Sequence, residues 1–353
     1  MKDFLREDRP ALVLAPMQDV TDLAFMRVVG RRGVPDWFVT EYFRVHGDSR
    51  LDRGILRSIT ENETGRPVFA QLIGREVEAM VRTARELEGY AVAGIDLNLG
   101  CPAPVVCRKD AGGGLLRNPA AVDGLIGALR DGVRGRFTVK TRVGFERAEE
   151  FEGLLEIFRK HGIDGLSVHG RTVADRYQTP VHEWAVARAV EVMDCPVIAN
   201  GNVVDVETGV AYQARTGAAG LMVGRGAIRN PWIFGQLDGA FRGVEVFRPT
   251  FRDLWDYILE LWEEVAREAE WFERFEELGH VQRMKRTLVY MAHGLDEEFE
   301  FRIRRVRTRA EFDEVCRECL DRGDELPVRP PVGSKLFCGF EELLGVKAEK
   351  LKS

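Results

Sequence analysis

The stretch from Gly94 to Gly144, GIDLNLGCPAPVVCRKDAGGGLLRNPAAVDGLIGALRDGVRGRFTVKTRVG, decides the fold. It opens on a short run of apolar and β-branched residues, GIDLNLG, and closes on a second one, FTVKTRVG. Between them LRNPAAVDGLIGALRDG has helical periodicity, with Asn118-Pro119 suited to a first turn and Gly132 to a stop. Two strands joined by a helix call for parallel pairing and a right-handed crossover. Outward from this unit the same alternation recurs. Candidate strands fall at Ala11–Met17, Trp37–Phe43, Pro67–Gly74, Gly94–Gly100, Phe137–Gly144, Gly165–Gly170, Pro196–Gly201 and Gly220–Gly224. Eight such units predict an α/β fold, a closed (β/α)8 TIM barrel. An open doubly wound sheet is the structural alternative. Its dinucleotide fingerprint is missing, because GRGAIR at Gly224–Arg229 lacks the third Gly and ends the eighth unit instead of opening the first.

After Gly239 the strand runs stop and helical segments rich in Trp, Phe and Glu begin, FRDLWDYILELWEEVAREAEWFERFEELG among them. Residues 1–239 are therefore expected to form the barrel and 240–353 a helical domain. At 353 residues, 45% hydrophobic and 31% charged, the chain has the composition of an ordinary globular protein. No apolar run approaches the length of a membrane span, the N-terminus carries charges where a signal peptide would be apolar, and the six cysteines are sparse. A cytoplasmic monomer with free thiols and no membrane partner is expected. The net charge of −6 argues against nucleic-acid binding through overall charge but leaves room for a local basic groove.

Barrel chemistry sits at the C-terminal ends of strands. Polar residues collect there: Pro16-Met17-Gln18, Gln71, Asn98 through Cys101, Lys140 and Arg142, His169 through Arg171, Asn200-Gly201-Asn202, and Gly224-Arg225. The glycines of the last two loops, with Arg225, suit an anion such as a phosphate. Lys140 and His169 would face an electron-rich ring, and Gln71 and Asn98 offer the donor and acceptor pair that a flat heterocycle needs.

The motifs APMQDVTD (Ala15–Asp22), VTEYFRV (Val39–Val45), FAQLIG (Phe69–Gly74), DLNLGCPAPVV (Asp96–Val106), GGGLLRNP (Gly112–Pro119), VKTRVG (Val139–Gly144), VHGRT (Val168–Thr172), VIANGNV (Val197–Val203) and MVGRGAIRNPWIF (Met222–Phe234) together resemble the tRNA-dihydrouridine synthases. The resemblance implies an FMN enzyme that reduces the C5=C6 bond of uridine in tRNA with electrons from NADPH. In that scheme a hydride reaches C6 from the flavin and a cysteine thiol protonates C5. Carried onto this chain, it makes Cys101 the acid. Flavin contacts fall on Pro16, Met17, Gln71, Lys140 and His169, phosphate contacts on Asn200, Gly201, Asn202, Gly224 and Arg225, and uracil neighbours on Asn98 and Arg142. An ordinary thiol, with a pKa of about 8.5, is mostly protonated at neutral pH and needs no activating base to donate. Two features depart from the family pattern. Cys107 stands where an asparagine is usual, and HGRTVADRYQTPVHEW is one residue longer before its Trp. With VTEYFRV, the longer loop is similar to the branch that modifies position 16 of the tRNA D loop.

Weaker signals complete the reading. Cys316 and Cys319 have metal-like spacing without the further ligands zinc requires, so no metal site is expected and packing is the better role. Arg302, Arg305 and Arg309 recur at helical spacing and predict one continuous basic face, and Arg44, Arg50, Arg53 and Arg57 form a second candidate strip. A small-molecule flavin reductase on the same barrel, and an inactive RNA-binding protein, are the competing functions.

Overall fold

The computed structural model describes residues 1–33, 35–273 and 275–345. Among the described residues nine parallel strands wrap into one closed barrel: β1 (Ala11–Leu14), β2 (Trp37–Val39), β3 (Phe43–Arg44), β4 (Val68–Ile73), β5 (Gly94–Leu99), β6 (Phe137–Arg142), β7 (Gly165–His169), β8 (Val197–Asn200) and β9 (Gly220–Val223). Closure comes from β1 pairing with β9 and β2 pairing with β4. The second expected strand is split, and β2 and β3 are its two halves. Between them Thr40 turns its hydroxyl to accept the Gln71 N–H at 3.0 Å, while Phe43 pairs with Leu72 farther along β4. The barrel thus has eight staves.

Period-two alternation fills it. Ala11, Val13 and Ala15 of the first stave point inward with Trp37, Val39, Phe69, Ile198 and Met222, whereas Leu12 and Leu14 face the helices. A 3-10 turn at Lys2–Phe4 plugs the bottom, its Phe4 ring 6.1 Å from Trp37 and 5.7 Å from Phe69.

Helices α1 (Leu23–Gly30), α2 (Arg53–Thr60), α3 (Val77–Leu87), α4 (Pro104–Cys107), α5 (Pro119–Gly132), α6 (Phe151–Lys160), α7 (Glu183–Val192), α8 (Val206–Thr216), α9 (Arg225–Arg229) and α10 (Ile233–Arg242) follow their strands. The central sequence unit behaves as read: Asn118 caps α5 by accepting from the Ala121 N–H at 3.1 Å, Pro119 sits in the first turn, and Gly132 is the last residue. Gly239, where the barrel was expected to end, lies inside α10, which packs on α8 and runs to Arg242.

The helical part is α11 (Phe251–Trp271), α12 (Glu277–Ala292), α13 (Glu297–Ile303) and α14 (Arg309–Leu320). It is fastened to the barrel by charge. Arg27 of α1 meets Glu268 of α11 at 3.0 Å, Arg57 of α2 pairs with the same carboxylate, and all three side chains are buried. At the opposite end the buried Arg229 donates to the carbonyls of Met291 (3.2 Å), His293 (2.6 Å) and Val328 (2.9 Å), using orphan acceptors at the end of α12. Among the described residues no helix is long and apolar enough to cross a membrane.

The expected basic face at Arg302–Arg309 does not form. Helix α13 ends at Ile303, and Thr308 starts α14 with a capping box to Glu311, so the three arginines stand on two helices and the link between them. Arg302 is held by Glu298 and Glu318, and Arg309 by Asp313. Arg57 also leaves its proposed strip, buried between Glu61, Glu268 and the Trp271 ring. Cys316 and Cys319 lie in the core beside Phe312 and Leu320.

Candidate active site

Strand register brings the polar residues to one end of the barrel. Gln71 pairs with Asp96, Asn98 with Lys140, Arg142 with His169, and His169 with Asn200, stave after stave around the mouth.

A buried relay crosses three staves. Thr138 donates to Asp96 Oδ1 at 2.6 Å, Gln71 Nε2 donates to Asp96 Oδ2 at 2.8 Å, and Asn98 Nδ2 donates to Gln71 Oε1 at 2.8 Å. Asn98 Oδ1 then accepts the N–H groups of Gly100 and Cys101, each at 3.0 Å. This fixes both amide orientations and fastens the loop that carries Cys101. The Cys101 carbonyl accepts from the Gly113 N–H at 3.1 Å and from the Cys107 thiol at 3.5 Å. Cys107 therefore braces the loop that carries Cys101, and burial pushes its thiol pKa up. The Tyr42 hydroxyl interacts with both Cys101 and Arg44; burial first and Cys101 second raise its pKa.

The rest of the mouth is cationic. Burial lowers Lys140 to about 8, and neighbouring Arg142 pushes the same way, with Asp96 opposing. Arg142 donates Nε to the Gly100 carbonyl at 2.9 Å and Nη1 to the Thr172 and Arg176 carbonyls, each at 2.7 Å. It clamps two loops together, and its guanidinium lies 5.1 Å from the Tyr177 ring. Arg171 is wholly buried and donates to the Thr179 carbonyl (2.6 Å), Asn202 Oδ1 (2.8 Å) and the Cys338 carbonyl (2.9 Å). Arg225 donates to the Leu336 carbonyl and sits 4.7 Å from Tyr177. His169, whose Nε2 lies 3.3 Å from Arg171 Nη1, is held well below the ordinary imidazole range by burial and these cations. Since an arginine can only donate, Nε2 is the acceptor and the neutral ring carries its proton on Nδ1.

Among the described residues no carboxylate is hydrogen-bonded to Arg142, Arg171 or Arg225; their bonds go to carbonyl and amide oxygens, to His169 and to Tyr177. Carbonyls orient a guanidinium without neutralising it, so the mouth holds uncompensated positive charge under low-dielectric walls. A bound anion would satisfy it. Asn202, at φ 58°, buries an Nδ2 that has no acceptor. Beside it Gly201 takes φ 125°, and a Cβ there would come within 2.8 Å of Val181 and 3.1 Å of the His169 ring. Only glycine keeps this backbone close to the imidazole. Asn200 has a different task, donating Nδ2 to the Met222 carbonyl at 2.7 Å and tying β8 to β9. Pro16 and Met17 follow β1, and Met17 Sδ lies 3.3 Å from where a Cβ on Gly224 would stand.

Beside the mouth a cavity of about 730 Å³ opens between the loops after β1 and β2 and helices α11 and α12. On its wall Glu41 is raised to about 8 by burial, reinforced by Asp22 and Asp19.

The structure thus assembles every expected site residue around one mouth and adds two that the sequence reading did not assign, Arg171 and Tyr177. Arg171 stands among the strand-end polar residues legible in VHGRT, without a role attached to it. Tyr177, on a loop with no periodic pattern, gave no such signal.

This arrangement, a parallel barrel with a cationic mouth and a cysteine loop fixed beside it, defines a (β/α)8-barrel protein whose polar strand ends converge on one site. Residues 13–323 match the family model described as dihydrouridine synthase (Dus), and the chain belongs to that family. It is 34% identical over 245 residues to the probable tRNA-dihydrouridine synthase 2 of Bacillus subtilis, covering 66% of this chain and 74% of that one. It is 35% identical over 242 residues to tRNA-dihydrouridine synthase B of Pseudomonas putida, covering 67% and 70%. A third relative, the tRNA-dihydrouridine(16) synthase of Cupriavidus necator, is 33% identical over 240 residues, covering 66% and 74%. Enzymes of the family are flavin-dependent in general.

Proposed function

We propose that this chain reduces the C5=C6 bond of uridine in tRNA to dihydrouridine, with FMN as its flavin and NADPH as electron source. The observation that carries the cofactor reading is the uncompensated charge of Arg171 and Arg225 together with the unpaired Asn202 amide, which suits the phosphate of FMN. Asn202, the backbone of Gly201 and Gly224, and Arg225 would hold that phosphate, and Pro16, Met17, Gln71, Lys140 and His169 would border the ring. When bound and reduced, FMN supplies the hydride for uracil C6.

The chain's own residues do the rest. Cys101, held at its N–H by Asn98 and at its carbonyl by Gly113, keeps its thiol at a fixed place to deliver a proton to C5. Asn98 spends one N–H on Gln71 and keeps the other for a uracil carbonyl. Arg142 shapes the loops around the base through its carbonyl bonds, and Tyr177 offers the ring face against which a base can lie. The target nucleotide must leave its stack to reach this depth, and the cleft between barrel and helices is the approach. Retention of VTEYFRV and the longer loop before Trp184 favours position 16 of the D loop as the site reduced.

The test is mass spectrometry of nucleosides from unmodified tRNA incubated with protein, FMN and NADPH, with free uridine in parallel. A gain of two hydrogens on tRNA uridine alone, mapped to position 16, is the expected result. Reduction of free uridine at the same rate would favour a small-molecule reductase. In Cys101→Ala, flavin should still bind and be reduced by NADPH while product formation falls by about 10²–10⁴-fold. Normal turnover in that variant would remove Cys101 as the acid.

A further inference from the structure

The family match ends at residue 323, yet the chain returns to the barrel mouth after it. Residues 330–345 run across the loops that follow β8 and β9 and are built into them. Phe337 and Phe340 are buried with Val204 in a small core of their own, and the Tyr290 ring meets Phe337 edge-on at 6.1 Å. Arg215 of α8 donates to the carbonyls of Glu342 (3.0 Å) and Leu343 (2.7 Å). Gly339 lies at φ 76°, and a Cβ on it would meet Pro180 backbone atoms at 2.8 Å, so only glycine lets the segment pass this close to the loop after β7.

Two carbonyls of this strap end on two of the three mouth arginines that bond no carboxylate. Leu336 accepts from Arg225, and Cys338 accepts from Arg171 at 2.9 Å. The phenyl ring of Phe337 lies 5.8 Å from the Arg225 guanidinium. A carboxylate in either place would have cancelled the charge. A backbone carbonyl fixes the side chain and leaves the charge whole, which is the arrangement that preorganises a cation for an anion.

We propose that the strap of residues 330–345 is a working wall of the cofactor site, holding Arg171 and Arg225 in place for the phosphate of the flavin nucleotide. This rests on the flavin reading above and adds to it a part of the chain outside the family match. It assigns the strap a specific chemical effect: it strengthens binding of the phosphorylated flavin and leaves the isoalloxazine ring's own binding alone.

Riboflavin, which has the ring and lacks the phosphate, separates the two. Dissociation constants for FMN and riboflavin are measured by flavin fluorescence on the full chain and on Gly339→Val, whose side chain meets the Pro180 backbone. Chymotryptic cleavage at Phe337 and Phe340, buried while the strap is docked, reports its release. With the strap released, FMN binding should weaken at least about tenfold, the scale of one charge-assisted bond, while riboflavin binding stays within about twofold. Release without loss of FMN affinity, or equal loss for both flavins, overturns the proposal. Phe340→Asp, which puts a charge on the buried anchor, carries the same test if the valine leaves the strap docked or the chain unfolds. Should the unaltered chain bind FMN no better than riboflavin, the cofactor reading itself fails, and that outcome is distinct from failure of the strap alone.

Discussion

Lys140 shows what the sequence could and could not disclose about a single residue. Its place at the end of a barrel strand marks it for the mouth, and the resemblance that VKTRVG helps to carry implies a place beside the flavin. Its charge state follows only from packing: burial and the nearby Arg142 lower it from 10.5 to about 8. The effect on stability has a definite sign. Below about 8 the lysine is charged in the folded and unfolded chain alike, and the folded chain carries the whole desolvation cost. Between about 8 and 10.5 the folded chain sheds the proton first, so stability gained from this group rises with pH. In the flavin-free protein, Lys140→Met should therefore be the more stable of the two at neutral pH, and its advantage should shrink across that window. Urea denaturation of both proteins through the range checks this; an advantage that grows with pH would contradict the assignment. Asn98 offers the complementary lesson. Its motif suggested a uracil neighbour, yet three of its hydrogen bonds serve the loop and the relay. Residue identity and strand position set Asn98 at the mouth, and only the packing shows how much of its side chain is already engaged.

Elements were legible where one physical signal dominated. Each strand is a buried apolar run closed by a glycine or polar turn, so the eight staves could be counted, and only the break at Thr40–Tyr42 escaped because nothing in WFVTEYF marks it. The Arg302–Arg309 stretch departs from one continuous face for a readable reason: the Thr308-x-x-Glu311 cap divides it, whatever the spacing of its charges. How the helical part docks was not readable, since pairing between α1, α2 and α11 joins residues more than two hundred positions apart. That docking concentrates on Glu268. Its pKa is raised by burial despite two arginine partners, so the carboxylate is desolvated before it is compensated. Removing it leaves Arg27 and Arg57 buried without this charge. Because Arg57 keeps Glu61 and Arg27 keeps Glu264, Glu268→Ala is expected to cost about 1.5–3 kcal/mol in denaturant unfolding, the scale of a lost hydrogen bond to a charged group. A loss below about 1 kcal/mol, the scale of an exposed pair, would show that the seam is solvated and held by its apolar contacts alone.

For the whole molecule, the difficulty is that a chain of net charge −6 has to hold a polyanion. Overall charge repels tRNA, so binding must rely on a few locally uncompensated cations, and the structure narrows the choice. Arg302, Arg304 and Arg309 are each tied to carboxylates. Arg305 is different: it is exposed, stacks 3.6 Å from the Phe301 ring and donates to the Phe301 carbonyl, which leaves its charge available. Counterion release then separates the two kinds of arginine, because only a cation that contacts a phosphate contributes to the salt dependence of binding. Arg305→Glu should weaken tRNA binding and lower the slope of log affinity against log salt by about one. Arg302→Ala should leave that slope unchanged, because its charge is already spent on Glu298 and Glu318. Anisotropy titrations with labelled tRNA over a salt series measure both. Equal slopes in Arg305→Glu and the unaltered chain would show that the link between α13 and α14 is ordinary surface, and would move the RNA contacts to the cleft walls around Arg53 and Arg286.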